Sequence, residues 1–282
     1  MKKNTLTCHE FSAPTASSSS IAFDLVFLHG FMGCADDFKE VAAYAGKSGK
    51  VRRMVALDLP GHGPSAALID NIQTTAEALQ LMADSITALK LERTVLIGYS
   101  MGARLLLHLV LSRPELAQGV VLESVTPGIE DDGERALRRT LDDRLLKNVI
   151  ENKEPFQEFL ERFYDNPIFK GLKDHPNFAG MVARKLHQNP ESLQKALNLF
   201  SPGTLLPLWP HIPLLSIPIL VITGEEDTRY VQTGKRMRLL NPAIHIDVCP
   251  ACSHNTHMQS PELFWNRIER FINCLNHKNQ QG

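Results

Sequence analysis

Residues 94–111 run TVLIGYSMGARLLLHLVL. A short β-branched apolar run stops at Gly98, and a long apolar, helix-like run starts at Met101. Between them stands Gly98-Tyr99-Ser100-Met101-Gly102, a G-x-S-x-G pentapeptide. Gly and Ser are common, so the pattern alone says little, and an ordinary Gly-rich strand–helix turn competes with it. The flanks give it meaning. A sharp turn from strand to helix needs small residues on both sides of the serine. It also sets the serine Oγ at a helix N-terminus, where backbone N–H groups stabilise negative charge.

Outward from this stretch the same rhythm recurs. Short apolar runs at Leu25–Leu28, Met54–Leu57, Val95–Ile97, Val120–Leu122, Ile219–Ile222 and Ile244–Val248 predict strands, several of them buried and parallel. Helical patterns over Thr75–Leu89, Met101–Leu111 and Pro261–Leu275 accompany them. Strands alternating with helices imply an α/β protein with a mainly parallel central sheet. APTASSSS at 13–20 is expected to be a loop after a short first strand. From Pro127 to Pro210 the rhythm changes to helices alone, over Gly133–Glu151, Pro155–Tyr164, Asn177–His187 and Glu191–Phe200. The expected organisation is a core of residues 1–127 and 206–282 with a helical lid at 128–205.

Composition narrows the function. The 282 residues are 43% hydrophobic and 22% charged, enough for a large core without disulfides or metal. Lys and Arg number 30 against 31 Asp and Glu, a net charge of -1, which argues against nucleic-acid binding. Five cysteines over this length are no disulfide scaffold. The opening MKKNTLTCHEF turns polar where a leader would need an apolar run. Leu105–Leu111 is interrupted by His108 and too short to span a bilayer. A soluble cytoplasmic protein, monomeric or weakly self-associating, is the expectation.

A serine nucleophile or base needs a histidine and an acid. His254, in SHNTH beyond a late strand, and Asp227, in GEEDTRY after ILVITG, stand in suitable loops. The order Ser100, Asp227, His254 is that of the α/β-hydrolases. An oxyanion hole would then take the amide of Met101 and, from LHGFMG, that of Phe31. His29 and His62 fit structural loop roles better than that of a base. Cys249 and Cys252, beside His254 and His257, admit a metal or redox reading, but the spacer between the pairs is too short for the usual zinc pattern, and ordinary thiols are expected. Arg104, one helical turn beyond Ser100, calls for a carboxylate partner from the protein or from a ligand. Arg135, Arg138, Arg139, Arg144, Arg184 and Lys185 in the helical segment together point to an anionic substrate, although each singly reads as a solvated charge.

Over about Val26 to Phe271 the chain resembles a known family. FLHGFMG, DLPGHGPS, GYSMGAR, LESVTPGIEDDGERALRR, FYDNPIF, QNPESL, GEEDTRY and SHNTHMQSP fall in the order seen in the 2-succinyl-6-hydroxy-2,4-cyclohexadiene-1-carboxylate synthases of menaquinone biosynthesis. The first three are widespread among α/β-hydrolases; the lid opening and SHNTH are more specific. The resemblance implies an α/β-hydrolase fold with a helical lid and a cofactor-free, metal-free lyase acting on a small tricarboxylate. Ser100, His254 and Asp227 would supply the base that triggers pyruvate elimination. Arg104 and Arg138 match arginines that grip carboxylates, and Tyr99 matches a pocket residue. Lys185, beside Arg184, falls where relatives carry an arginine; Phe163 replaces a tryptophan; Arg229 replaces a lysine. Ala103 stands for a glycine, and Cys252 and Ser253 replace Ala-Gly. Two other readings stay open: a serine hydrolase of esters or of C–C bonds beside ketones, and a non-catalytic binding protein on the same scaffold.

Overall fold

The structure is a computed structural model and describes residues 5–12 and 22–279. The loop expected at 13–20 lies outside the described residues. Strands form where β-branched and aromatic residues concentrate: β1 (Cys8–Phe11), β2 (Phe23–Leu28), β3 (Val51–Leu57), β4 (Thr94–Tyr99), β5 (Gly119–Glu123), β6 (Ile219–Gly224) and β7 (Ile244–Cys249). They make one sheet in the order β1-β3-β2-β4-β5-β6-β7. β1 is antiparallel to β3, and the remaining neighbours are parallel. This is the mainly parallel α/β sheet expected.

Alternate residues of the central strands feed opposite cores. Val26, Leu28, Leu96, Val120 and Val221 face one side, where they meet α2 (Thr75–Ala88), α3 (Met101–Ser112) and α9 (Thr228–Leu240). Leu25, Phe27, Val95, Ile97 and Val121 face the other, against α1 (Lys39–Ala45) and α11 (Pro261–Asn279). Apolar residues at both parities explain the unbroken hydrophobic runs, since helices cover both faces of the sheet. Neither α1 nor α9 was foreseen; charges interrupt the apolar period of α9.

Between β5 and β6 the chain forms α4 (Asp132–Asp142), α5 (Lys147–Ile150), α6 (Phe156–Phe163), α7 (Phe178–Leu186) and α8 (Pro190–Phe200). Their apolar faces share a third core of Leu146, Phe159, Leu160, Leu172, Met181 and Leu193, closed by Met32 and by Met258 of the short α10 (Thr256–Gln259). The single helix expected over Gly133–Glu151 is broken. Gln194 of α8 occupies the gap: its Nε2 donates to the Asp142 carbonyl at 2.8 Å, and its Oε1 accepts from Leu146 N–H at 2.9 Å. Partners for freed backbone groups make such a break tolerable.

Candidate active site

β4 ends at Tyr99 and α3 begins at Met101, so Ser100 alone makes the turn, at φ 47° and ψ -102°. A non-glycine residue holds such a left-handed backbone only when its surroundings impose it. The flanking glycines show the constraint. A Cβ at Gly98 would lie 2.7 Å from the Ala103 nitrogen, and one at Gly102 would enter the carbonyl oxygens of Leu28 and His29. Ser100 N–H donates to the Glu123 carbonyl at 2.9 Å, and Gly102 N–H to that of His29 at 3.1 Å, tying the turn to both neighbouring strands.

Asp227 follows β6 and His254 follows β7, so neighbouring strand ends bring them together. His254 Nδ1 lies 2.6 Å from Asp227 Oδ2, and its Nε2 lies 3.1 Å from Ser100 Oγ. Asp227 and His254 are each 3% exposed, so this hydrogen-bonded chain is shielded from water except at the serine. Ser124 Oγ donates to the His254 carbonyl at 2.8 Å. Glu123 at the end of β5 holds the same loop: its Oε1 accepts from His257 N–H at 2.9 Å, and its Oε2 lies 2.7 Å from His257 Nδ1. The ring of Tyr230 meets that of His254 edge-on at 4.6 Å.

The LHGFMG segment forms the loop after β2, beside the serine turn. His29 Nδ1 contacts the Gly30 carbonyl at 2.8 Å while its Nε2 accepts Leu59 N–H at 3.0 Å. His62 Nε2 accepts Met32 N–H at 3.1 Å. Burial lowers the pKa of both rings, well below the usual range for His62, where the neighbouring His29 adds to the effect. Each is thereby kept neutral, as an acceptor of backbone N–H must be. They are loop fasteners, as expected.

Ser100, His254, Tyr99, Phe31 and Phe163 line one cavity beneath the helical segment, together with Arg104, Arg138 and Lys185. Met101 is fully buried at the first position of α3. Arg104 is 7% exposed and its Nε has no hydrogen-bond partner. Among the described residues no carboxylate forms an ion pair with it, and burial lowers its pKa, with Arg138 adding to the effect. Arg138 is 42% exposed and donates from Nε to Asp142 at 2.7 Å. Lys185 is buried, its Nζ bonded to the Met32 carbonyl at 3.1 Å and to Asp37 at 3.3 Å.

Two expected substrate contacts are corrected. Arg184, one residue before Lys185, leaves the cavity: it lines an outer cleft with His9 and His187 and bonds Asp37 at 2.9 Å. Arg229 is exposed at the start of α9, and its neighbour Tyr230 lines the cavity instead. Consecutive helical residues point about 100° apart, so only one of each pair can face the site.

Residues 25–267 match the alpha/beta hydrolase family. The chain belongs to that family. The Serratia proteamaculans protein named 2-succinyl-6-hydroxy-2,4-cyclohexadiene-1-carboxylate synthase is 27% identical over 253 residues, 88% of this chain and 92% of that protein. Protein PHYLLO, chloroplastic, of Arabidopsis thaliana is 31% identical over 255 residues, but this chain, 84% of which aligns, spans only 14% of that longer protein. The solved structure of MenH from S. aureus superposes with a TM-score of 0.86 at 25% identity, covering 95% of this chain and 98% of that one.

In this α/β-hydrolase several site residues escaped sequence reasoning. Tyr164, Asn255 and Tyr230 line the cavity, and so does Asp142, whose carboxylate also accepts from Ser201 Oγ. The run from Cys249 to His257 is divided among separate tasks. His254 pairs with Asp227 and His257 with Glu123. The thiols of Cys249 and Cys252 are pushed up by burial to about 12 and about 11, which leaves them protonated and unreactive. Among the described residues, no helix is long and apolar enough to cross a membrane.

Proposed function

We propose that this chain is a lyase of menaquinone biosynthesis. It eliminates pyruvate from 2-succinyl-5-enolpyruvyl-6-hydroxy-3-cyclohexene-1-carboxylate to give 2-succinyl-6-hydroxy-2,4-cyclohexadiene-1-carboxylate. The names of the Serratia relative and the S. aureus structure support this reading. One observation carries it: the Asp227–His254–Ser100 chain opens into a cavity that is also lined by Arg104, a buried arginine whose Nε has no hydrogen-bond partner. A base beside a buried cation that makes no ion pair among the described residues suits the removal of a proton from an anionic substrate.

His254 Nε2 takes the Ser100 proton as Ser100 Oγ removes the ring proton alpha to the succinyl ketone. The C–H electron pair moves onto the ketone oxygen, facing the amides of Phe31 and Met101. Collapse of this enolate forms the C2=C3 double bond, shifts the C3=C4 double bond to C4=C5 and breaks the C5–O bond to the enolpyruvyl group. The departing enolate takes the proton held by His254 and leaves as pyruvate. Arg104 and Arg138 hold substrate carboxylates through their planar forks. Tyr99, Phe163 and Tyr230 line the space for the ring, and the helical segment acts as the lid. Proton transfer and elimination require no cofactor or metal. The five cysteines stand free, which suits a cytoplasmic setting.

The test is pyruvate release from freshly made substrate, followed with a coupled dehydrogenase against an enzyme-free blank, because this substrate eliminates spontaneously. Fast release by the wild type and blank-rate release by Ser100→Ala is the expected result. Wild-type release at the blank rate would sink the lyase. Rapid ester turnover would then assign the chain to the serine hydrolases, since the same hydrogen-bonded serine suits nucleophilic attack.

A further inference from the structure

The loop that carries Phe31 is held from behind by the helical segment. Met32 sits at φ 58°, a left-handed backbone that needs outside support in a non-glycine residue. Its N–H donates to His62 at 3.1 Å, and its carbonyl accepts from Lys185 Nζ at 3.1 Å. The next carbonyl, of Gly33, accepts from Gln188 Nε2 at 2.9 Å. Gln188 Oε1 in turn accepts Gly63 N–H at 2.7 Å, anchoring the same side chain to the loop after β3. Asp37 Oδ2 takes both Cys34 N–H at 3.2 Å and Lys185 Nζ at 3.3 Å, and Arg184 closes on the other oxygen at 2.9 Å. Lys185 is 4% exposed and Asp37 8%, so these bonds lie largely out of reach of competing water.

We propose that Lys185 is a positioning residue: with Gln188 it latches the C-terminal end of α7 to the Met32–Gly33 backbone, so that the Phe31 amide points into the cavity only while the helical segment is docked. The proposal rests on the pyruvate-eliminating reading. It reassigns Lys185 from gripping a substrate carboxylate to holding the loop that stabilises developing negative charge. Gly33 N–H donates to the Gly30 carbonyl at 3.0 Å, and that carbonyl shares a planar peptide unit with the Phe31 N–H, so holding Gly33 in place fixes where the Phe31 amide points. Such a donor acts in the transition state, so its displacement lowers kcat rather than raising KM.

Lys185→Met keeps an unbranched apolar stem and removes the ammonium. In this variant kcat for pyruvate release is expected to fall roughly tenfold to a hundredfold, with KM changing less than about threefold. Amide hydrogen exchange over residues 29–35 is expected to speed up while that of β4 stays unchanged. A raised KM with unchanged kcat and unchanged loop exchange would overturn the latch and return Lys185 to carboxylate binding. Should Lys185→Met fail to fold, Gln188→Ala removes the companion bond without a change of charge, and unaltered kcat and loop exchange in that variant would equally overturn it. The exchange measurement needs no turnover. A wild type that releases no pyruvate would defeat the lyase reading, while loop exchange would still decide the latch.

Discussion

The two sides of the cavity are satisfied to different degrees. On the sheet side the serine and its supports are linked in one chain, Asp227 to His254, His254 to Ser100, Ser124 to the His254 carbonyl and Glu123 to His257, although Asn255 Oδ1 in the same loop is buried without a hydrogen-bond partner. On the cationic side Arg104 is buried with an orphaned Nε, while Arg138 is half exposed and shares Asp142 with Ser201. A protein that leaves a buried guanidinium donor unpaired sacrifices stability at that point, because desolvation is not repaid. Ser100, His254 and Asp227 are thus already joined to one another, whereas Arg104 has no ion pair among the described residues; on the proposed reading an anionic substrate completes that cationic wall.

Substitutions separate the two sides. Ser100→Ala and His254→Ala remove the organised side, and kcat should drop by about three orders of magnitude or more. Calorimetric binding of the reaction product should stay within about threefold of wild type, because the cationic wall is intact. Arg104→Ala should lower kcat/KM by roughly a hundredfold, mainly through KM, with Arg104→Lys restoring only part of the loss. An Arg104→Ala enzyme with wild-type KM would refute the ligand-completed wall.

A pH experiment probes the satisfied region behind the Phe31 loop. Burial by itself would raise the Asp37 pKa, but Lys185 and Arg184 outweigh it and hold the carboxyl at about 2. Its pKa is thus depressed on folding, so its stabilisation is present above the unfolded value of about 4 and is lost as pH falls through about 2; the shift corresponds to about 2 kcal/mol. Thermal unfolding of Asp37→Asn should therefore lie below wild type at pH 7, with the gap closing toward pH 2. A constant gap would remove the ion pairs from the explanation.

The smaller effects belong to the more exposed arginines. Arg138→Ala should lower kcat/KM by about tenfold, less than Arg104→Ala, since solvent and Asp142 already screen its charge. Arg229→Ala should change kcat/KM by less than about twofold, as expected of a solvated side chain. A loss as large as that of Arg104→Ala would place Arg229 in the substrate's path.

The parts of the site legible in the sequence are those set by local backbone chemistry or by chain order. GYSMG announced its turn because only small residues fit beside Leu28, His29 and Ala103. Asp227 and His254 followed from their places after late strands in a parallel sheet, whose strand ends converge on one edge. The arginine expectations divided differently. Arg104 was fixed by its spacing from Ser100 along one helix, but Arg184 and Lys185 share a helix whose rotation about its axis is set by docking against Met32, Gly33 and Asp37. The same uncertainty exchanged Arg229 for Tyr230.

The parallel α/β sheet, the sharp serine turn and the Asp227–His254 pair were legible in the residues alone, because they follow from strand period, glycine sterics and the order of elements along the chain. Packing settled which cations face the cavity, that Arg104 makes no ion pair among the described residues, and that Lys185 is bound to the Met32 carbonyl and Asp37. Those outcomes depend on distances between elements far apart in the chain. A charged side chain reads the same in sequence whether it ends in solvent, in an ion pair or unpaired in a cavity; packing alone separates the three.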